Sequence, residues 1–267
     1  MFSFFFLVYN GAMNCIICKR ELKREGNSFR CENGHCFDIA KQGYVNMSRK
    51  QKDTGDNKEM VRARTNFLEQ GLYDFMRQKV CSLIRHYHPH VLVDIGCGQG
   101  YYTQAFEVPE KYGVDLSKEA ILHAAKTDKS TLYIVSTIYD LPFADDSVDM
   151  VTSIFTPLPV KEISRILKED GVLIIVSPAE YHLVELKEQL YDKVYLNEEK
   201  REELEGFVLV HDEVITDKRK VDDVWDLFEM TPYRYRSPKE GIEKIRNLDE
   251  LDITFSFLIQ VYRKKQI

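Results

Sequence analysis

Apolar residues follow two rhythms along this chain. Val91–Ile95 (VLVDI) is a near-continuous apolar run, the mark of a parallel strand buried on both faces. Residues 111–115, 131–136, 148–155 and 172–177 repeat that pattern, the last after a turn at Asp170-Gly171. Between them, apolar side chains at helical spacing predict helices over 118–126 and 159–168, and a further helix over 182–194. Late strands are expected at 207–216 and 253–263, separated by helical and loop sequence. Ahead of the first strand, Leu72, Met76, Val80, Leu83, Ile84 and Tyr87 fall on one face of a helix. An earlier helix is expected from near Asp56 to near Gly71, where glycine can take the left-handed cap position. Alternating strands and helices predict an α/β fold: a doubly wound, mostly parallel, Rossmann-like sheet with its ligand at the carboxyl edge of the strands.

Composition adds a division. The chain has 267 residues, a formal net charge of -6, 44% hydrophobic and 30% charged residues, which describes a folded globular protein. No apolar run approaches the roughly 20 residues that span a bilayer, so a cytoplasmic protein without a membrane partner is expected. The charge is uneven: residues 1–65 hold 12 Lys+Arg against 7 Asp+Glu, and residues 66–267 hold 25 against 36. A total that disfavours nucleic acid therefore conceals a basic head, and phosphate neutralisation needs such Lys and Arg. Lys41, Arg49, Lys50, Lys52, Lys58, Arg62 and Arg64 form a basic connector that reads either as phosphate contacts or as a solvated surface. The uncharged stretch 1–12 lacks the basic start of a secretory signal. Met13 is read as the natural start and 1–12 as a non-native or disordered extension, a membrane-surface anchor being the other reading.

The head carries the first chemistry. Cys15, Cys18, Cys31 and His35 read C-x2-C-x12-C-x3-H, two ligand pairs on two tight turns that can close a tetrahedron on Zn²⁺. Cys36 competes with His35 as fourth ligand, and two disulfides are the alternative use of the four thiols. A site filled by four side chains is structural, not catalytic.

The second chemistry follows the first strand. Gly96, Gly98 and Gly100 make a G-x-G-x-G turn after Asp94, where backbone can approach a ligand and the next helix offers free N–H groups. Asp115 ends the second strand about twenty residues on, where a carboxylate can accept both ribose hydroxyls. Together with Leu141-Pro142-Phe143 and the acidic run 145–149, these features resemble class I S-adenosyl-L-methionine-dependent methyltransferases. That resemblance puts Ser136, Thr137 and Ile138 on the adenine side.

Over residues 13 to nearly the C-terminus, the chain is similar to the rRNA large subunit methyltransferase A family. The similarity rests on the Cys/His head, residues 37–46 (FDIAKQGYVN), Gly55-Asp56, residues 60–64 and 67–73, DIGCGQGYYT, LPF, Pro178, His182-Leu183 with Glu185-Leu186-Lys187, and Met230-Thr231-Pro232. The resemblance implies an enzyme that methylates N1 of a guanine in the hairpin 35 loop of 23S rRNA, working as a homodimer with a basic RNA cleft. It implies Cys15, Cys18, Cys31 and His35 as zinc ligands, and adds Tyr73, Tyr101, Tyr102, Thr103 and His182 to the cofactor contacts. On the residues alone, Tyr73 reads as a helix-surface aromatic and His182 as a helix N-terminal histidine. The implied division is a zinc-binding RNA-recognition module at 13–48, a basic linker with helices at 49–88, and the methyltransferase domain at 89–267.

No general base is identified in the sequence. Residues 153–157 (SIFTP) follow the fourth strand, where Thr156 and backbone can face a target base; Phe155, Tyr233 and Tyr235 are candidate stacking surfaces, and Arg234 and Arg236 suit RNA backbone. A small-molecule methyltransferase with a structural zinc module, or a non-catalytic zinc-containing RNA-binding protein, are the competing functions.

Overall fold

A computed structural model describes residues 12–48, 58–201 and 203–266. Residues 1–11 of the extension at 1–12, the motif Gly55-Asp56 and the basic residues Arg49, Lys50 and Lys52 lie outside them. In the head, β1 (Lys23–Glu25), β2 (Ser28–Arg30) and β3 (Cys36–Asp38) form a small antiparallel sheet. β4 (Tyr44–Asn46), α1 (Lys58–Glu69) and α2 (Asp74–Tyr87) follow. The body continues with β5 (Val91–Ile95), β6 (Glu110–Asp115), α3 (Lys118–Thr127), β7 (Leu132–Val135), β8 (Val148–Ile154), α4 (Val160–Ile166) and β9 (Leu167–Pro178). It closes with α5 (Val184–Leu190), β10 (Phe207–Val221), α6 (Val224–Glu229), α7 (Lys239–Arg246) and β11 (Leu251–Lys264).

Eight strands make the main sheet in the order β10-β11-β9-β8-β5-β6-β7-β4. β4 through β9 pair in parallel, and the β10–β11 hairpin adds antiparallel strands beyond β9. From β5 the chain moves outward to β6 and β7, then returns to the other side of β5 as β8 and β9. That reversal between β5 and β8 opens the crevice where doubly wound folds bind ligands. Leu92, Val93 and Ile95 are fully buried, which explains the unbroken apolar run; each such side chain contributes about 1.5–3 kcal/mol on burial.

Four features differ from the sequence reading. Tyr44–Asn46 pairs in parallel with β7, so the polypeptide of the head supplies an edge strand of the main sheet. The helix expected at 159–168 stops at Ile166, because Leu167 already pairs with Val148 of β8. The helix expected at 182–194 spans only Val184–Leu190, entered through Leu183 in the left-handed region. The helix expected after the glycine turn is a single 3-10 turn, Thr103–Ala105: only residues 101–109 are available to bring the chain back to β6. The anion site at a helix N-terminus is therefore not built. Among the described residues, no helix is long and apolar enough to cross a membrane.

Candidate functional site

The glycine turn leaves β5 directly into the crevice. Gly96 has φ 65°, and a Cβ there would lie 2.1 Å from Thr156 Oγ1, so the turn and the loop after β8 touch with no side chain between them. Around Gly98 the nearest atom to an added Cβ is Arg64 Nη1 of α1 at 3.8 Å, so this side of the turn is open. Asp115 at the end of β6 braces it: Oδ2 accepts the Gly98 N–H at 2.9 Å and Oδ1 accepts the Ser117 N–H at 2.7 Å. A carboxylate has about four acceptor sites, and a pair of vicinal hydroxyls is a donor set it can accept. Gln99 Nε2 is buried in the same turn with no partner among the described residues, a donor that a bound group can satisfy.

Asp94 lies beneath the turn, 1% exposed. Thr103 Oγ1 donates to its Oδ2 at 2.5 Å and Thr152 Oγ1 to its Oδ1 at 2.7 Å, tying the turn to β5 and β8. Burial raises its pKa to about 6 despite those hydroxyls. The folded state thus holds this proton more tightly than the unfolded chain, and stability falls as pH rises from about 4 to about 6, then levels. Asp94→Asn removes the buried charge. The Tm of the variant relative to the parent should climb across that window and stay constant above it; parallel Tm–pH curves would remove Asp94 as the source.

Tyr73 precedes α2 and is 3% exposed, not a surface aromatic. His182 lies in the turn before α5, 5% exposed, with Nδ1 accepting the Ser256 N–H at 3.2 Å. Burial depresses its pKa to about 3, so it is neutral at physiological pH. The hydrogen-bond geometry assigns the proton to Nε2, which donates to the Tyr73 hydroxyl at 3.4 Å. Both nitrogens are then engaged, and His182 holds Tyr73 instead of exchanging protons. Phe257 packs on both rings, at 4.9 and 4.7 Å between centroids. Phe155, 41% exposed with φ 57°, lies over His182 at 6.4 Å. Tyr101 donates to Asp74 Oδ1 at 2.5 Å beneath the Arg77 guanidinium, and Tyr102 is half-buried against the same core. With Thr103 on Asp94, two of these three side chains brace the turn, leaving backbone to face a ligand.

In the head, Cys15, Cys18, Cys31 and His35 bring their ligand atoms within 4.8 Å of one another. Cys18 and Cys31 sulfurs are 3.6 Å apart, and His35 Nδ1 lies 3.5 and 3.4 Å from the Cys15 and Cys31 sulfurs. Tetrahedral zinc with Zn–S near 2.3 Å has ligand–ligand edges of roughly 3.8 Å, so the donor set fits. Cys15 accepts the Lys19 N–H through its carbonyl, and Cys31 accepts that of Gly34, closing the two knuckles. Backbone N–H of Arg20 draws the Cys18 thiol toward thiolate, the form zinc binds. Cys36 begins β3, whose alternation turns Cys36 and Asp38 outward and Phe37 inward, so His35 is the fourth member.

The other candidates separate. Tyr233 packs against Tyr191, and Arg234 is held by Glu229 and Glu59, so neither is a free RNA contact. Tyr235, Arg236, Lys41, Lys58 and Arg62 are exposed. Sequence reasoning missed Thr152, Ser256 and Phe257, which reach the site only through strand pairing.

Known proteins resolve these features in the same two parts. Residues 13–52 match the zinc-ribbon family described as RlmA, N-terminal, and residues 93–175 match the methyltransferase domain family. A provisionally assigned 23S rRNA (guanine-N(1)-)-methyltransferase of Bacillus subtilis (strain 168), YxjB, is 32% identical over 261 residues, covering 90% of this chain and 93% of its own. The 23S rRNA (guanine(748)-N(1))-methyltransferase of Streptomyces fradiae is 35% identical over 188 residues, 67% of each chain. A Micromonospora griseorubida protein, also provisionally assigned as a 23S rRNA (guanine-N(1)-)-methyltransferase, is 33% identical over 204 residues, covering 67% of this chain and 69% of its own. The cofactor is S-adenosyl-L-methionine, for which the glycine turn, Asp115 and the unpartnered Gln99 amide are suited, and the metal is zinc. With both modules in order and a relative aligned over nine-tenths of its length, the chain belongs to the 23S rRNA (guanine-N1)-methyltransferases of the rRNA large subunit methyltransferase A family.

Proposed function

We propose that this enzyme transfers a methyl group to N1 of a guanine in the hairpin 35 loop of 23S rRNA, in the cytoplasm and as a homodimer. One observation carries the reading: the Gly96–Asp115 crevice and the exposed Phe155 meet at one sheet edge, in direct contact through Gly96 and Thr156. Bound S-adenosyl-L-methionine supplies an electrophilic sulfonium methyl, so the protein's task is alignment and desolvation. Asp115 and the glycine turn orient the ribose and methionine parts. Tyr73, fixed by His182 and Phe257, closes the crevice against water. Phe155 offers its ring to a guanine swung out of the loop, and its left-handed backbone is the kind of strain that marks working sites. The N1 proton passes to water, since the nitrogens of His182 and the oxygens of Asp94 are engaged. Exposed Lys41, Lys58, Arg62 and Arg236 support phosphate contact. Exposed Val208, Leu209 and Val210 on edge strand β10 support a second copy as partner.

N1-methylguanine cannot form a Watson–Crick pair, so reverse transcription stops at it. Unmodified 23S rRNA treated with enzyme and cofactor should show one new stop, at a guanine within hairpin 35. Transfer should weaken steeply between 50 and 200 mM salt, by ~10-fold or more if several phosphates are contacted. A stop elsewhere in the RNA would refute the target, and methyl transfer to metabolites alone would favour a small-molecule enzyme.

A further inference from the structure

We propose that the zinc knuckle is a wall of the cofactor's adenine pocket, so that zinc occupancy and cofactor affinity are coupled. This rests on the methyltransferase reading and adds a role for the head that RNA binding does not require.

A cavity of about 250 Å³ opens at the carboxyl edge of β4, β6 and β7. The body contributes Leu116, directly after the brace Asp115, with Ser136 and Thr137 after β7, and Asp140. The head contributes Ile16, between zinc-ligand positions Cys15 and Cys18, with Met47 and Ser48, directly after β4. Leu116 is 40% exposed, so its apolar side chain is accessible to a flat base. Ile16 and Met47 are almost fully buried, which makes them a firm part of the lining. The proposed ribose anchor adjoins the cavity, so a nucleoside held there directs its base between Leu116 and Ile16.

The knuckle is fastened to the loop that lines this cavity. Asn14 N–H donates to the Pro142 carbonyl at 2.9 Å, and the Ala144 N–H to the Ala12 carbonyl at 2.9 Å. Lys19 pairs with Asp140, and the Met47 N–H donates to the Val135 carbonyl at 2.9 Å. Ile16 and Leu22 share one buried cluster with Leu141 and Phe143. The turn that carries Ile16 is closed by two of the metal's ligands, so losing zinc frees that turn and loosens the loop of Ser136 to Asp140 with it.

The test is calorimetry with S-adenosylhomocysteine, with zinc content read by atomic emission on the same samples. Ile16→Ala should keep one zinc per chain and lose about tenfold in affinity. Ile17→Ala, altering a 50% exposed neighbour that does not line the cavity, should keep both. Chelator-stripped protein should lose tenfold or more and regain it when zinc is restored. Linkage requires the reciprocal effect: S-adenosylhomocysteine should tighten zinc binding by the same factor. Parental affinity in both zinc-free protein and Ile16→Ala would overturn the coupling while leaving the cofactor assignment standing. Failure of the zinc-loaded parent to bind S-adenosylhomocysteine would instead overturn the cofactor assignment.

Discussion

Gly96→Ala should lower methyl transfer at least about a hundredfold while leaving the chain folded. Alanine at φ 65° carries the usual left-handed penalty of about 1–2 kcal/mol. The larger effect is steric. The new methyl group would stand 2.1 Å from Oγ1, 2.5 Å from Cγ2 and 2.8 Å from Cβ of Thr156. Thr156 is β-branched and near its own backbone's hydrogen bonds, with Oγ1 3.2 Å from the Ile154 carbonyl and 3.4 Å from that of Gly96. The loop carrying Phe155 must move, and displacing aligned reactants by about 1 Å costs roughly 10²-fold. Thr156→Gly clears the clash without restoring glycine's backbone freedom at 96. The double variant should therefore be at least about tenfold faster than Gly96→Ala alone, a coupling of at least ~1.4 kcal/mol in the cycle, larger by whatever Thr156→Gly alone costs. Additive effects on kcat in the two single and one double variants would mean that the turn and the loop after β8 do not communicate through this contact.

That contact was invisible in the sequence, although both of its members were legible. The glycine turn announces itself because a buried strand runs into it, and the SIFTP loop because it follows the fourth strand. Their meeting depends on β5 and β8 being neighbours, which is a property of the strand order. Tyr73 and His182 fail for a related reason. They are 109 positions apart and meet directly, against Phe257 on a strand added late to the sheet. His182 also misread as a helix residue, because a leucine at φ 58° is not a signal that composition carries. The zinc ligands were legible by spacing alone, but the choice between His35 and Cys36 rests on the side alternation of a strand only three residues long. β4 is equally short, too brief for any period to appear, so the edge strand that ties head to body had no sequence signature. Arg234 illustrates the converse error: a cation beside exposed aromatics invites phosphate, yet Glu229 and Glu59 already hold it.

Asp115→Ala should lower S-adenosylhomocysteine affinity by about two orders of magnitude. Two charge-assisted hydrogen bonds to a ribose diol contribute about 1.5 kcal/mol each at the low end, or ~3 kcal/mol, and 1.4 kcal/mol is a factor of ten. A second effect acts through the protein. The carboxylate receives the Gly98 and Ser117 N–H groups, and Ser117 caps α3 by accepting the Ala120 N–H at 3.3 Å. Alanine leaves the N–H groups of buried Gly98 and Ser117 without this acceptor, at a cost of about 1–3 kcal/mol in urea-induced unfolding. Asn keeps one acceptor oxygen and should fall between the two. Affinity alone cannot separate a lost ribose contact from a loosened turn, but the ligand can. The parent should bind the 2′,3′-dideoxy analogue of S-adenosylhomocysteine much more weakly than the diol. Asp115→Ala should bind the two nearly equally, because the group that distinguished them is gone. If the alanine variant still prefers the diol by the parent's factor, the hydroxyls are read elsewhere, and Asp115 serves only as the brace that shapes the turn.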